Sequence, residues 1–150
     1  MIMNQDFYKK DEHCSGVKGL VYIGDKLLVY RRDYNTDKYP GCIDFPGGGK
    51  DGDETPFENY KREISEEFSI NVDEDDIVYV RQYPSVSKKD KHVYFPVAKL
   101  ETKAEGEIAL GDEGLEFSLI SEDEYLAMDD VAWPDVFKER VETYLASSKE

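Results

Sequence analysis

The chain has 150 residues, 39% of them hydrophobic and 35% charged, which suits one soluble domain over residues 1–150 with a buried core. No stretch approaches the roughly 20 apolar residues of a membrane span, and the N-terminus lacks the apolar centre of a signal peptide. We therefore expect a cytoplasmic protein without a membrane partner. The net charge of -15 argues against nucleic acid polymers as partners, but it admits a small phosphorylated substrate whose charge a divalent cation neutralises.

The first third of the chain alternates apolar runs with turn residues. Residues 17–23 and 26–32 are predicted to form two strands joined by a turn at Gly24-Asp25. Residues 42–45 form a further short strand, and a glycine-rich loop follows it.

The next segment carries the start signals of a helix. Thr55 is predicted as the N-cap and Pro56 as the first helical residue, and Glu58 completes a capping box with Thr55. The helix is expected to run to about Phe68. Its buried stripe follows helical spacing at Phe57, Tyr60, Ile64 and Phe68.

The second half of the chain predicts three strands and two helices. Residues 77–84 and 92–100 form a strand pair around a polar turn, and residues 114–120 form another short strand. Ser121 caps a short helix, and Pro134 begins a last helix whose apolar face carries Phe137, Val141, Tyr144 and Leu145. Because several strands precede the first helix, the order favours an α+β fold in which helices flank a mixed or antiparallel sheet.

The glycines match a dinucleotide-binding motif only formally. Gly47, Gly49 and Gly52 fit G-x-G-x-x-G between a strand and a helix. However, the helix begins at Thr55-Pro56, beyond the last glycine, and the strands that follow are of the hairpin type rather than parallel. No Gly-Lys-Ser/Thr ends the loop, which excludes a Walker motif. The glycines therefore need another explanation.

The predicted helix also crowds acidic residues together. Glu63, Glu66 and Glu67 stand at i, i+3 and i+4, so they project from one face beside the buried stripe. Like charges at this spacing destabilise a helix, and a cation such as Mg²⁺, which prefers carboxylate, carbonyl and water oxygens, would reverse that balance. A glycine loop lets backbone carbonyls approach the same ion, and Arg62 can hold a carboxylate by a bidentate contact. On the glutamates alone, a solvated acidic face is an equal alternative.

These residues also stand at the spacing of a known signature. Gly48, Glu54, the run 62–67 and Ile70 match the Nudix box, G-x5-E-x7-R-E-U-x-E-E-x-G-U, in which U is apolar. The chain therefore resembles the Nudix hydrolases, and a weaker likeness extends over most of its length. One position departs from the pattern, because Ser69 replaces the late glycine. Glycine tolerates a left-handed helix end, so we expect some loss of stability or a shifted helix end.

The resemblance implies the Nudix fold, an α/β/α sandwich around a central mixed sheet. It also implies a metal-dependent hydrolase that cleaves the pyrophosphate linkage of a nucleoside diphosphate derivative by attack of water on phosphorus, with Mg²⁺ or Mn²⁺ as cofactor. By matched position, Glu66 and Glu67 are the main metal ligands, and Glu63 is either a ligand through water or the general base. Arg62 and Glu54 orient the carboxylates, which completes the implied catalytic set of Glu54, Arg62, Glu63 and Glu67.

Further implied site residues lie outside the helix. The carbonyl of Gly47 is a candidate metal ligand, and Glu113, with Glu116 as the reserve, is the candidate glutamate from a later loop. Arg31 and Arg32 end a strand at which MutT-like relatives carry arginines, so they are candidates for binding the substrate. A solvated strand end is an equal alternative for both arginines.

The resemblance leaves the substrate open, because selectivity lies outside the box. A nucleoside triphosphate, oxidised or not, is favoured, and ADP-ribose, a nucleotide sugar or a dinucleoside polyphosphate is the alternative. Trp133 either stacks on a base or packs at a helix start. A module that senses a nucleotide without cleaving it is disfavoured, because all the box glutamates are present. The implied partner is a small nucleotide, and the protein would be a monomer or a homodimer.

Overall fold

The computed structural model describes residues 4–111 and 114–148. Within these ranges, short 3-10 helices occupy Gln5–Tyr8, Glu74–Asp76 and Thr102–Glu107. The α-helices are α1 (Pro56–Phe68), α2 (Glu122–Ala127) and α3 (Pro134–Ser148). The strands are β1 (Cys14–Lys18), β2 (Leu20–Ile23), β3 (Lys26–Arg31), β4 (Ile43–Asp44), β5 (Gly47–Gly49), β6 (Ile77–Pro84), β7 (His92–Leu100) and β8 (Phe117–Ile120).

The strands form one mixed sheet. Their order is β4-β3-β2-β7-β1-β5, with β6 paired to β7 and β8 paired to β3. Strand β7 runs parallel to both β1 and β2, whereas the other pairings between these strands are antiparallel. This topology confirms the α+β class and, of the mixed and antiparallel sheets that the element order left open, it shows the mixed one that the resemblance implied.

Helices cover both faces of the sheet. The predicted stripe of α1, which comprises Phe57, Tyr60, Ile64 and Phe68, packs into one core on the first face. On the second face, the other core receives Tyr125 from α2 together with Phe137, Val141 and Tyr144 from α3. These side chains are all buried, so apolar contact on both faces stabilises the α/β/α layering that the resemblance implied.

The prediction of one strand over residues 17–23 was wrong, because the strand breaks at Gly19 between β1 and β2. A Cβ atom on Gly19 would lie 2.1 Å from the carbonyl oxygen of Pro96 in β7, so only glycine fits there. The Gly19 N–H donates to the carbonyl of Pro46 at 3.2 Å. On the side away from β7, β2 pairs with β3 and β1 pairs with β5. The sheet therefore divides at Gly19.

The predicted glycine-rich loop also needs a correction, because Gly47–Gly49 form β5, an edge strand antiparallel to β1. Glycine has a low strand propensity, and here the pairing with β1 outweighs it. Most other predictions are confirmed, among them α1, the β6–β7 pair and the capping boxes at Thr55 and Ser121. In the described part of the chain, no helix is both long and apolar enough to cross a bilayer.

Candidate active site

Arg62 is the centre of the polar network on α1. Its guanidinium forms a bidentate pair with Glu54, at 2.9 Å from Nε to Oε2 and 2.7 Å from Nη2 to Oε1. Nη1 donates to Glu63 at 3.1 Å and to Glu66 at 3.3 Å, and Nη2 donates to the carbonyl of Gly49 at 3.0 Å. One side chain thus connects the segment before the helix, two glutamates of the helix and strand β5.

The Arg62–Glu54 pair consists of two fixed charges. Partial burial alone would raise the pKa of Glu54, but hydrogen bonds from Arg62 and from the N–H of Asp51 lower it. The hydrogen bond to Glu54 is the main reason why the pKa of Arg62 is raised. Both groups therefore keep their charges near neutral pH, and this geometry supports the orienting role predicted for them.

The three glutamates of the patch lie at different depths. Glu67 is only 5% exposed, and its carboxylate oxygens are shielded from solvent. The Glu66 side chain is 61% exposed, whereas that of Glu63 is 14% exposed. Glu63 lies against Gly48, where a Cβ atom would come within 2.6 Å of the carboxylate. Gly48 thus forms a cradle that any larger residue would fill.

A cavity of about 650 Å³ opens beside this face of α1. It lies where the sheet divides, so β1, β3, β5 and α1 all contribute to its walls. Its lining combines three carboxylates with two cations and consists of Lys18, Tyr30, Arg32, Gly47, Gly48, Gly49, Glu63, Glu66, Glu67 and Gly111. The cavity can therefore hold an anionic group near Lys18 and Arg32 and a metal ion near the glutamates.

Asp44 holds the two cations of this cavity in place. Its side chain is 1% exposed, and Oδ2 accepts hydrogen bonds from Lys18 Nζ and, at 2.7 Å, from Arg32 Nη1. Oδ1 accepts from the N–H of Phe45 at 2.8 Å. Both cations also lie over the ring of Trp133, at 5.2 Å for Lys18 and 5.0 Å for Arg32. The buried carboxylate therefore fixes the cationic side of the cavity, and its sequence context gave no sign of this role.

Other predicted residues lie away from the cavity. Among the described residues that line it, neither Arg31 nor Glu116 is present. Arg31 pairs with Glu116 at 3.1 Å, with Asp130 at 3.4 Å and with the carbonyl of Gly41 at 2.7 Å. Glu113, the predicted glutamate of the later loop, lies outside the described residues. Of the two arginines predicted to bind substrate, Arg32 is therefore the one that reaches the cavity.

Sequence reasoning missed Asn59, which supports the glycine strand from α1. Asn59 is fully buried, and its Nδ2 donates to the carbonyl of Gly49 at 3.2 Å and to that of Gly48 at 3.4 Å. The signal was present in the sequence as a polar residue between Phe57 and Tyr60 in the apolar part of the helix. A buried amide in such a position needs hydrogen-bond partners, which β5 supplies.

The end of α1 shows what Ser69 does in place of glycine. Ser69 adopts the left-handed conformation, with φ 61° and ψ 25°, and the helix ends where it was predicted to end. Its hydroxyl donates to the carbonyl of Ala109 at 3.1 Å, and the N–H of Gly111 donates to the carbonyl of Glu67 at 2.9 Å. The serine therefore helps to tie the segment that contains Gly111 to the helix end, so a hydrogen bond that glycine lacks partly offsets the strain.

The donor set of the cavity fits a hard divalent cation. Three glutamates line the same space as the glycines of β5, and carboxylate oxygens suit Mg²⁺ and Mn²⁺. Within residues 4–111 and 114–148, no group of three His, Cys, Asp or Glu side chains is close enough to hold an ion alone. Carbonyl oxygens and water would have to complete the coordination, which is usual for Mg²⁺.

A second space, called the groove here, adjoins the cavity. It has a volume of about 310 Å³ and shares Lys18, Gly48 and Gly49 with the cavity. Much of its wall is apolar and comes from Val17, Val86, Val93, Trp133, Val136 and Phe137. Trp133 thus packs at the start of α3 and also lines the groove, so both predicted roles are compatible with its position. A molecule bound in the cavity can extend into the groove.

Comparison with known proteins agrees with this geometry. The profile of the NUDIX domain family matches residues 13–141. A MutT protein from Methanosarcina mazei Go1 superposes with a TM-score of 0.71 and 26% identity, over 90% of this chain and 94% of that one. An Ap4A hydrolase from C. elegans superposes with a TM-score of 0.68 and 15% identity, over 89% of this chain and 98% of that one.

The Ap4A hydrolase, at 15% identity, and a third protein, at 20% identity, show the fold alone. A bifunctional NMN adenylyltransferase/ADP ribose pyrophosphatase from Francisella tularensis gives a TM-score of 0.58 at 20% identity, over 71% of this chain and 33% of that one. No curated protein matches the chain at a significant level. The family profile, by contrast, spans most of the chain and includes the whole box. The chain therefore belongs to the Nudix family and is a pyrophosphohydrolase.

Proposed function

We propose that this enzyme hydrolyses nucleoside triphosphates, oxidised or unmodified, with Mg²⁺ or Mn²⁺ as its cofactor. The observation that carries the proposal is the single cavity in which the three glutamates of α1, the glycine strand β5 and the cations Lys18 and Arg32 meet. Phosphates need positive charge around them, and on a protein of net charge -15 these cations and a metal ion would supply it.

The glutamates have distinct proposed roles. Glu66 and Glu67 hold the cation together with the carbonyl of Gly47, and Glu113 contributes from the later loop. Glu63, in its cradle at Gly48, is either a ligand through water or the general base. When bound, the cation neutralises the diphosphate and makes water a better nucleophile. Water would then form a new bond to phosphorus and give up a proton to a base, for which Glu63 is the candidate, while the bridging P–O bond of the anhydride breaks and its electron pair stays on the departing phosphate oxygen.

The basic residues position these groups and the substrate. Arg62, paired with Glu54, orients Glu63 and Glu66 by the hydrogen bonds described above. Arg32 is the proposed phosphate contact, because it lines the cavity and Asp44 fixes its guanidinium. These side chains stay charged and fixed during the reaction, so little reorganisation is needed as charge develops on the phosphate oxygens.

An alternative substrate within the same chemistry is ADP-ribose, a nucleotide sugar or a dinucleoside polyphosphate. Each contains the same diphosphate and would use the same cavity, and the difference would arise in the groove. Similarity to a MutT protein over 94% of that protein's length favours the small MutT-like type and hence the triphosphate.

The test is product release from a panel of nucleoside triphosphates and diphosphate derivatives, measured with Mg²⁺, with Mn²⁺ and with EDTA. Turnover is expected only with metal, and Glu67→Gln should lower it roughly 100-fold or more, because several kcal/mol of metal-derived stabilisation would be lost. Glu142→Gln, the same change at an exposed position of α3, is the control and should retain full activity.

Two results would refute the proposal. Turnover that persists in EDTA or in Glu67→Gln would remove the metal assignment. If nothing turns over while Mg²⁺ and nucleotides still raise the melting temperature, the site binds nucleotides without cleaving the substrates of the panel.

A further inference from the structure

Arg140 on α3 is a buried cation packed against aromatic rings. The residue is 7% exposed, and in the described part of the chain its guanidinium makes no hydrogen bond or ion pair. It lies over two aromatic rings, at 4.3 Å from Cζ to the centroid of Tyr83 and 5.1 Å to that of Phe137. The neighbouring Glu139 acts on it only through a longer-range attraction.

This environment distinguishes Arg140 from three other arginines of the chain. Arg31, Arg32 and Arg62 each form an ion pair with a carboxylate. Burial lowers the pKa of Arg140, as expected for a cation removed from water. Arginine nevertheless stays charged at neutral pH because its ordinary pKa lies above about 12. An unpaired buried charge destabilises the fold, so a ligand is the natural partner for it.

The position of Arg140 indicates where that ligand would bind. Arg140 lines the groove beside Trp133 and Phe137, and the groove joins the cavity along Gly48 and Gly49. The apolar walls suit a planar ring, since they offer large flat surfaces and few polar groups. A guanidinium presents N–H donors in a planar fork and has no acceptor. The group that meets it must therefore carry hydrogen-bond acceptors side by side.

We propose that Arg140 determines the base specificity of this enzyme by binding O6 and N7 of a 6-oxopurine, the ring system of guanine and hypoxanthine. This inference rests on the proposed function, because it places the base of the same nucleotide in the groove while the phosphates lie in the cavity. Adenine presents an N6 amino donor beside N7, and that donor would face the N–H groups of Arg140. Guanine and hypoxanthine nucleotides are therefore bound in preference to adenine nucleotides.

The test uses nucleoside monophosphates, which contain no pyrophosphate bond and so report binding whether or not the protein is hydrolytic. Titration calorimetry of the full-length protein with GMP, IMP and AMP is expected to show GMP and IMP binding roughly ten-fold or more tighter than AMP. Arg140→Met should abolish this preference. Arg140→Lys, which keeps the charge but not the paired donors, should retain only a small part of it.

Arg81 provides a matched control. It also lies over the ring of Tyr83, at 5.5 Å from the centroid, but it is not among the described residues that line the groove. Arg81→Met should therefore leave the preference for GMP and IMP intact. Arg140→Met is also expected to keep or raise the melting temperature, because replacing an unpaired buried charge by an apolar side chain of similar length relieves desolvation.

Several outcomes would overturn the inference. Equal dissociation constants for GMP and AMP, or a preference that survives in Arg140→Met, would exclude base recognition by this residue. A uniform loss of affinity for all three monophosphates would show that Arg140 binds a phosphate instead. A large fall in melting temperature for Arg140→Met, with the preference unchanged in Arg140→Lys, would assign it a structural role on Tyr83. If hydrolysis fails in the separate turnover assay while the base preference holds, only the proposed function is lost.

Discussion

Gly48→Ala should separate catalysis from stability in this enzyme. The new Cβ atom would lie 2.6 Å from the carboxylate of Glu63, whereas ordinary contact begins at about 3.4 Å, so the carboxylate must withdraw by roughly 0.8 Å. Glu63 is the flexible end of a side chain, and Gly48 does not have a positive φ, so the fold can absorb the change. A displacement near 1 Å in a catalytic group lowers the rate on the order of 100-fold.

The assay is kcat/KM with Mg²⁺ and the best substrate of the panel, together with a thermal melt. Gly106→Ala is the matched control, because nothing lies within 4 Å of its new Cβ and it is not among the described residues that line the cavity or the groove. We expect a melting temperature close to wild type for both variants and a large loss of kcat/KM for Gly48→Ala alone. If Gly48→Ala is fully active, or if both variants lose activity equally, the cradle is not what positions Glu63.

Three further predictions concern metal binding, the helix end and acid stability. Mg²⁺ should raise the melting temperature in a concentration-dependent manner in the wild type and much less in Glu67→Gln, and equal shifts would place the ion elsewhere. Ser69→Ala should lower the free energy of unfolding, measured in urea, by about 1 kcal/mol because the hydrogen bond to Ala109 is lost. Ser69→Gly loses the same hydrogen bond but also relieves the left-handed strain, so its free energy of unfolding should stay near that of the wild type. Equal free energies of unfolding for the two variants would contradict this. Burial alone would raise the pKa of Asp11, but hydrogen bonds from Tyr94 and His92 lower it. The ionised Asp11 therefore stabilises the folded state at pH values above its ordinary pKa, and this stabilisation is lost as the pH falls. The difference in free energy of unfolding between the wild type and Asp11→Asn should therefore decrease between pH 7 and about pH 3. A difference that stays constant over this range would contradict the lowered pKa of Asp11.

The helical part of the site was predictable because its geometry is local. Residues three and four apart on a helix share a face, so Glu63, Glu66 and Glu67 had to lie together once the cap at Thr55 fixed the helix start. The same local logic predicted the bidentate role of Arg62, and the structure places that contact on Glu54. These features needed no knowledge of the rest of the chain.

The cationic side of the cavity was not predictable in this way. Lys18, Arg32 and Asp44 come from different parts of the sheet, and they meet only because β3 pairs with β4 while β1 pairs with β5. That arrangement depends on the break at Gly19, which periodicity alone did not reveal because the mostly apolar residues 17–23 also fit one continuous strand. Arg140 was missed for a related reason, since it lies on the buried side of α3 between Phe137 and Tyr144, and a charged residue there looks like the polar border of an apolar face until the neighbouring groove is known.

The three consecutive glycines of β5 follow from the place of this strand between two binding spaces. On one side, Gly48 makes room for Glu63, and Asn59 of α1 holds the carbonyls of Gly48 and Gly49. On the other side, Gly48 and Gly49 line the groove that α3 borders. Because β5 is the edge of the sheet, a ligand can pass around it from the glutamates on the α1 face to the apolar walls on the α3 face. Side chains on β5 would narrow that passage. The three glycines therefore keep the strand between the cavity and the groove thin, and they do not form a phosphate-binding loop.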